Sequence, residues 1–122
     1  MIEQLTTFPE TVVAFVCHGR VTKEDYETVL VPVVTAALKK HKKLRLYYET
    51  GPDFAGVAPG AMWEDFKVGV EHPTRWERFA VVTDIEWIRH TMQFFSFMLP
   101  GVLKLFSQSE TAAARAWIAA QD

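Results

Sequence analysis

The chain has 122 residues, 49% of them hydrophobic, with nine Phe, four Trp and three Tyr. Thirteen Lys and Arg against fifteen Asp and Glu leave a formal charge of −2, with no cationic surplus for a nucleic-acid groove. This is the length of one domain, spanning residues 1–122, and large enough to bury roughly two-thirds of its extended surface; a charged fraction of 23% excludes a disordered chain.

Residues 2–8 and 12–17 read as two strands separated by a turn at Pro9-Glu10. The second, Val12 to Cys17, is a continuous apolar run of the kind covered on both faces of a sheet. Gly19 breaks it. Thr22-Lys23-Glu24-Asp25 then opens a helix, with Thr22 as N-cap and Asp25 in the capping-box position. Tyr26, Val29, Leu30, Val33, Val34, Ala37 and Leu38 follow at helical spacing. Pro32 sits inside this helix, removes a backbone hydrogen bond and predicts a kink. The helix ends in Lys39-Lys40-His41-Lys42-Lys43, whose charge complements the helix dipole.

Leu44 to Thr50 reads as a third strand and Gly51 to Gly56 as a loop. Pro59-Gly60 precedes a second helix over about Ala61 to Val70, and Phe79 to Thr83 is a fourth, buried strand. Asp84 is the expected cap of a third helix reaching about Leu99, stopped by Pro100-Gly101. Val102 to Phe106 is a short fifth strand, and Ser109 and Glu110 open a last helix through Ala120. The order β-β-α-β-α-β-α-β-α argues an α/β fold with a mostly parallel sheet.

Four segments, in order along the chain, carry a resemblance. They are Gly19-Arg20-Val21-Thr22 with Asp25, Tyr26 and Pro32; Gly60 to Lys67; Ala80 to Asp84 with Trp87; and Phe106 with Glu110, Ala113, Ala114, Ala116 and Trp117. Together they resemble the SpoIIAA-like family, small bacterial proteins with a STAS-like fold. The resemblance implies a four- to five-stranded mixed sheet with its helices mainly on one face. It also implies kinship in shape with anti-sigma-factor antagonists and with lipid-carrying domains of the Sec14 type. Membrane association and apolar ligands come with the resemblance; catalytic residues do not, since fold and function separate easily. Antagonist-type relatives carry a phosphorylatable Ser after the third strand. Residues 49–60 here contain no Ser and only one hydroxyl, Thr50, at the expected strand end. A phospho-switch of that type is not expected.

Other chemistry finds little footing. His18, His41, His72 and His90 lack the spacing of a zinc site, so no metal and no cofactor is expected. Glu64, Asp65, Glu71 and His72 read as a solvated helix face, or as the one handle for an enzyme. Cys17 lies in an apolar strand, where a thiol is usually core, and no phosphate-binding glycine loop is present. A lone Cys fits a reducing cytoplasm. Met1-Ile2-Glu3-Gln4 shows no basic or apolar leader. The longest uncharged stretch near the C-terminal half, Thr91 to Leu103, is 13 residues, short of the roughly 20 needed to span a bilayer.

The informative segment is the third helix. Ile88, Met92, Phe95 and Leu99 make one stripe for the sheet, while Trp87, Phe94 and Met98 fall on an adjacent stripe and Phe97 lies elsewhere. Something must cover the second stripe: a neighbouring helix, a partner protein or second copy, or a lipid. The expectation is a non-enzymatic cytoplasmic domain binding an apolar molecule or lipid between the second and third helices, with Trp63, Phe66, Trp87, Phe94 and Phe97 as ligand contacts. Phe94, Phe97 and Met98, with Lys39, Lys40, Lys42 and Lys43, are the expected contacts to a membrane at the inner face or to a partner. The alternative is a regulatory protein-interaction module, or a homodimer, using the same apolar surface.

Overall fold

The computed structural model describes residues 1–58, 74–96 and 101–120. The expected second helix, with Trp63, Phe66 and the Glu64–His72 group, lies outside the described residues, as do Phe97 and Met98.

Five strands, β1 (Ile2–Leu5), β2 (Val12–Val21), β3 (Leu44–Val57), β4 (Trp76–Val82) and β5 (Val102–Phe106), form one sheet in sequential order. β1 is antiparallel to β2, and all other neighbours are parallel. The expected mixed, mostly parallel α/β fold is the observed one. Between the strands run α1 (Lys23–Asp25), a π-helical stretch (Tyr26–Leu30), α2 (Val31–Lys40), α3 (Glu86–Phe95) and, after a 3₁₀ turn at Gln108–Glu110, α4 (Thr111–Ala119).

α1, the π stretch and α2 make one continuous rod. Thr22 caps it: its hydroxyl accepts from the Asp25 N–H while the Asp25 carboxylate accepts from the Thr22 N–H at 2.8 Å. The irregularity expected at Pro32 is displaced into the turn before it. Pro32 has no N–H to give and its ring crowds the carbonyl four residues back. The chain responds by widening, so that the Val31 N–H reaches the Tyr26 carbonyl five residues away. At the far end Arg75 donates to the carbonyls of Leu38, His41 and Lys42, closing acceptors that a helix C-terminus leaves open.

The rod covers one face of the sheet, where Tyr26, Leu30 and Val34 meet Val13, Phe15, Cys17, Leu44, Tyr48 and Phe79. Parallel connections are right-handed, and β2→β3 and β4→β5 step in the same direction along the sheet. α3 therefore shares the rod's face. α4 lies on the opposite face, with Ala114 and Ile118 against Val12, Ala14, Tyr47, Ala80, Val82 and Phe106. Its C-terminal carbonyls are closed by strand arginines: Arg78 donates to Trp117 at 2.7 Å, and Arg45 to Ile118 at 3.0 Å and to Ala120.

Several boundaries differ from expectation: β2 runs on past Cys17 and through Gly19 to Val21, and β4 begins at Trp76 rather than Phe79. β1 stops at Leu5, and Phe8 instead tucks its ring 4.8 Å from that of Tyr47. β3 runs on through the expected loop, because its ladder with β2 absorbs two extra residues between the pairs Cys17–Thr50 and Gly19–Phe54. Pro52 falls in that bulge, where a missing N–H costs no ladder bond. Asp84 does not cap α3, whose N-cap Ile85 has no side-chain cap. Its carboxylate accepts instead from the Gln108 N–H at 2.9 Å, tying the end of β4 to the turn after β5.

Candidate functional site

α3 places its apolar residues as its periodicity requires. Ile88 is buried at 4% exposure, and Met92, one turn on, is half-buried. On the second stripe, Trp87 is 45% exposed and Phe94 66%. Seven residues are two helical turns, so these rings lie on one side of α3, about 10 Å apart along its axis. Arg89 anchors the helix, donating to the carbonyls of Thr83 and Phe106 at 2.9 and 3.0 Å, across the ends of β4 and β5. The α3 rings therefore stand on a held element.

Lys39, Lys40, Lys42 and Lys43 are all exposed. Lys43 also donates to the Thr74 carbonyl. These lysines precede the first residue of β3, while Val102, the first residue of β5, is 61% exposed. Since β3, β4 and β5 are parallel, the lysines and Val102 share one end of the sheet. Two strand spacings, about 10 Å, separate β3 from β5. The structure thus brings Trp87 and Phe94 onto one side of α3, and places the four lysines ahead of β3, at the sheet end opposite to the start of α3.

Thr50, the one hydroxyl in the stretch that carries the switch in antagonists, is 2% exposed. It donates to the Thr83 hydroxyl at 2.9 Å, and that oxygen also accepts from the Ile85 N–H at 3.1 Å. A modifying enzyme does not reach it in this fold.

Sequence reasoning missed one polar cluster. His18, in β2 beside the Gly19 bulge (φ +55°), places Nδ1 2.8 Å from Asp53 Oδ1 of β3 and Nε2 3.0 Å from Glu3 Oε1 of β1. The hydrogen bond to Asp53, then that to Glu3, raises the His18 pKa above its ordinary value, and Asp53 is lowered by the same bond. The carboxylates sit on opposite ring nitrogens, so the three groups cannot converge on one ion. Among the described residues no cluster suits a metal. A second unanticipated feature is a cleft of about 360 Å³ beside the end of α4, lined by Pro9, Thr11, Arg45, Glu77, Ile118 and Ala120. Its guanidinium already serves the α4 carbonyls and Glu77.

Comparison with known proteins agrees with this architecture. The SpoIIAA-like family model matches residues 12–119. The chain belongs to the SpoIIAA-like family. Among solved structures it is similar to an uncharacterized protein of the DUF3478 family with a SpoIIAA-like fold from Shewanella loihica PV-4. Identity is 24%, over 97% of this chain and 92% of that one, with a TM-score of 0.71. That likeness supports the fold. A search of curated proteins finds no match. Among the described residues of this SpoIIAA-like domain, no helix is long and apolar enough to cross a membrane.

Proposed function

We propose that this SpoIIAA-like domain is a non-enzymatic binding module that holds an apolar molecule or lipid against α3 and docks peripherally on an anionic membrane surface. The observation that carries the reading is the pair Trp87 and Phe94, 45% and 66% exposed on one side of α3. A helix that only completes a core has no need of two large rings toward water, and each has a sizeable apolar area to bury. Lys39, Lys40, Lys42 and Lys43, exposed ahead of β3, are proposed to supply attraction to lipid phosphates, about 1 kcal/mol per cation close to such a surface. Trp63, Phe66, Phe97 and Met98 are proposed to complete the apolar contact. The buried, hydrogen-bonded Thr50 weighs against the antagonist-type alternative.

Native mass spectrometry of the protein purified from cells tests the ligand. The expected spectrum contains an adduct of lipid mass, which is lost in Trp87→Ser/Phe94→Ser. A bare chain mass in both proteins, at every concentration, overturns the ligand half. A dimer mass that the double substitution removes assigns the surface to a second copy instead.

A further inference from the structure

We propose that His18, Glu3 and Asp53 form a pH-gated clasp that holds β1 and the outer part of β3 to β2. The three residues stand on three adjacent strands, and the imidazole spans the gap with both nitrogens engaged. A neutral imidazole has one N–H and donates to only one carboxylate. Simultaneous donation to Glu3 and Asp53 requires the imidazolium, so the geometry itself selects the charged form.

The surroundings allow movement without dismantling the core. His18 and both carboxylates are reached by water, with side-chain exposures of 27%, 53% and 63%. The β2–β3 register shifts on both sides of Gly19, and the extra residues of β3 lie beside Asp53. Gly51 sits under the clasp, where an added Cβ would lie 3.1 Å from both Asp53 Oδ1 and His18 Nδ1. β1 is a four-residue edge strand with one neighbour. The charged groups that face the imidazole are Glu3 from β1 and Asp53 from β3. The N-terminal amine bonds the His18 carbonyl at 2.8 Å and stands 3.5 Å from Asp25 of α1, which places one more ion pair beside the imidazole.

The sign follows from linkage. A His pKa raised in the closed form stabilises that form at low pH and is lost as pH rises through the raised value. Asp53, lowered in the closed form, favours closure above the ordinary carboxylate range and is lost in acid. The clasp is therefore closed between those two limits and opens on the alkaline side of His18. Opening frees β1 and with it the β2 edge that β1 covers. For each pH unit between the closed and open His18 midpoints, the closed-to-open ratio falls about tenfold across the transition.

Imidazole NMR titration combined with amide hydrogen exchange tests the proposal on the intact chain. His18 is expected to titrate above the ordinary imidazole value, and Glu3→Gln and Asp53→Asn each lower its midpoint. Exchange in Ile2–Leu5, corrected for the intrinsic effect of base, is expected to quicken about tenfold per pH unit of separation as His18 deprotonates. In His18→Gln, which keeps a neutral donor, that step disappears. A His18 midpoint at the ordinary imidazole value, or a β1 exchange step that survives His18→Gln, overturns the clasp. Neither result bears on lipid binding at α3.

Discussion

The hydroxyl pair of Thr50, midway along β3, and Thr83, just past β4, gives an asymmetric double-mutant cycle. Thr50 and Thr83 are 2% and 0% exposed, and the Thr83 oxygen accepts from two donors, the Thr50 hydroxyl at 2.9 Å and the Ile85 N–H at 3.1 Å. Thr50→Val removes one donor and leaves Thr83 still paired with Ile85, a loss of about 1 kcal/mol. Thr83→Val removes the shared acceptor and strands a fully buried hydroxyl together with a part-buried N–H. A buried donor without a partner costs about 1–3 kcal/mol, so this variant is expected to lose about 2–4 kcal/mol. In the double variant the stranded hydroxyl is gone, and the loss is expected to be no greater than for Thr83→Val alone. Urea unfolding reads all four corners; with m of about 2 kcal/mol per molar, Thr83→Val moves the midpoint down by roughly 1–2 M. Strict additivity, or a Thr50→Val loss equal to that of Thr83→Val, refutes the shared-acceptor reasoning.

Gly101→Ala is expected to destabilise by about 1–3 kcal/mol in thermal unfolding, since an added Cβ would stand 2.7 Å from the Glu77 carbonyl oxygen, a backbone atom that cannot step aside. Arg75→Met, which keeps the stem and removes the donors to Leu38, His41 and Lys42, is expected to cost about 1.5–3 kcal/mol by urea unfolding. Asp25 and Glu110 are both held below their ordinary values, chiefly by backbone bonds from Thr22 and Ser107. A lowered carboxylate stabilises above its unfolded value and loses that contribution as pH falls through the lowered one. Stability is therefore expected to decline below the ordinary values of 4.5 and 3.8, and less steeply in Asp25→Asn/Glu110→Gln.

Much of the fold was legible because local chemistry and the sheet agree. The Val12–Cys17 run is buried on both faces, and Thr22 with Asp25 forms the expected capping box. The two stripes of α3 were equally legible, since helical periodicity alone separates Ile88 from Trp87 and Phe94. The misreadings come from non-local partners. Gly51-Pro52 is a turn signal by composition, yet it forms a strand bulge because β2 offers a register that absorbs it. Asp84 has the chemistry of a cap, but the Gln108 N–H, 24 positions away, competes for its carboxylate. The His18 cluster was hidden for the same reason: Glu3, His18 and Asp53 meet only when antiparallel and parallel pairings are combined across a bulge. Gly19, read as the end of the apolar run, is instead a bulge within β2.

The central claim is that the outer stripe of α3 is a binding surface, and flotation with vesicles of phosphatidylglycerol and phosphatidylethanolamine tests it most directly. The exposed fractions of Trp87 and Phe94 amount to about 100 Å² each, taking roughly 150–250 Å² for an aromatic side chain, or about 5 kcal/mol at 25 cal/mol per Å². Entry of half that area into the apolar layer contributes about 2.5 kcal/mol, a partition difference of roughly 50-fold. The wild type is expected to float with the vesicles, and a Trp87→Ser/Phe94→Ser protein that unfolds at the same midpoint is expected to stay in the dense fraction. Equal flotation of the two proteins, or of neither, contradicts the claim.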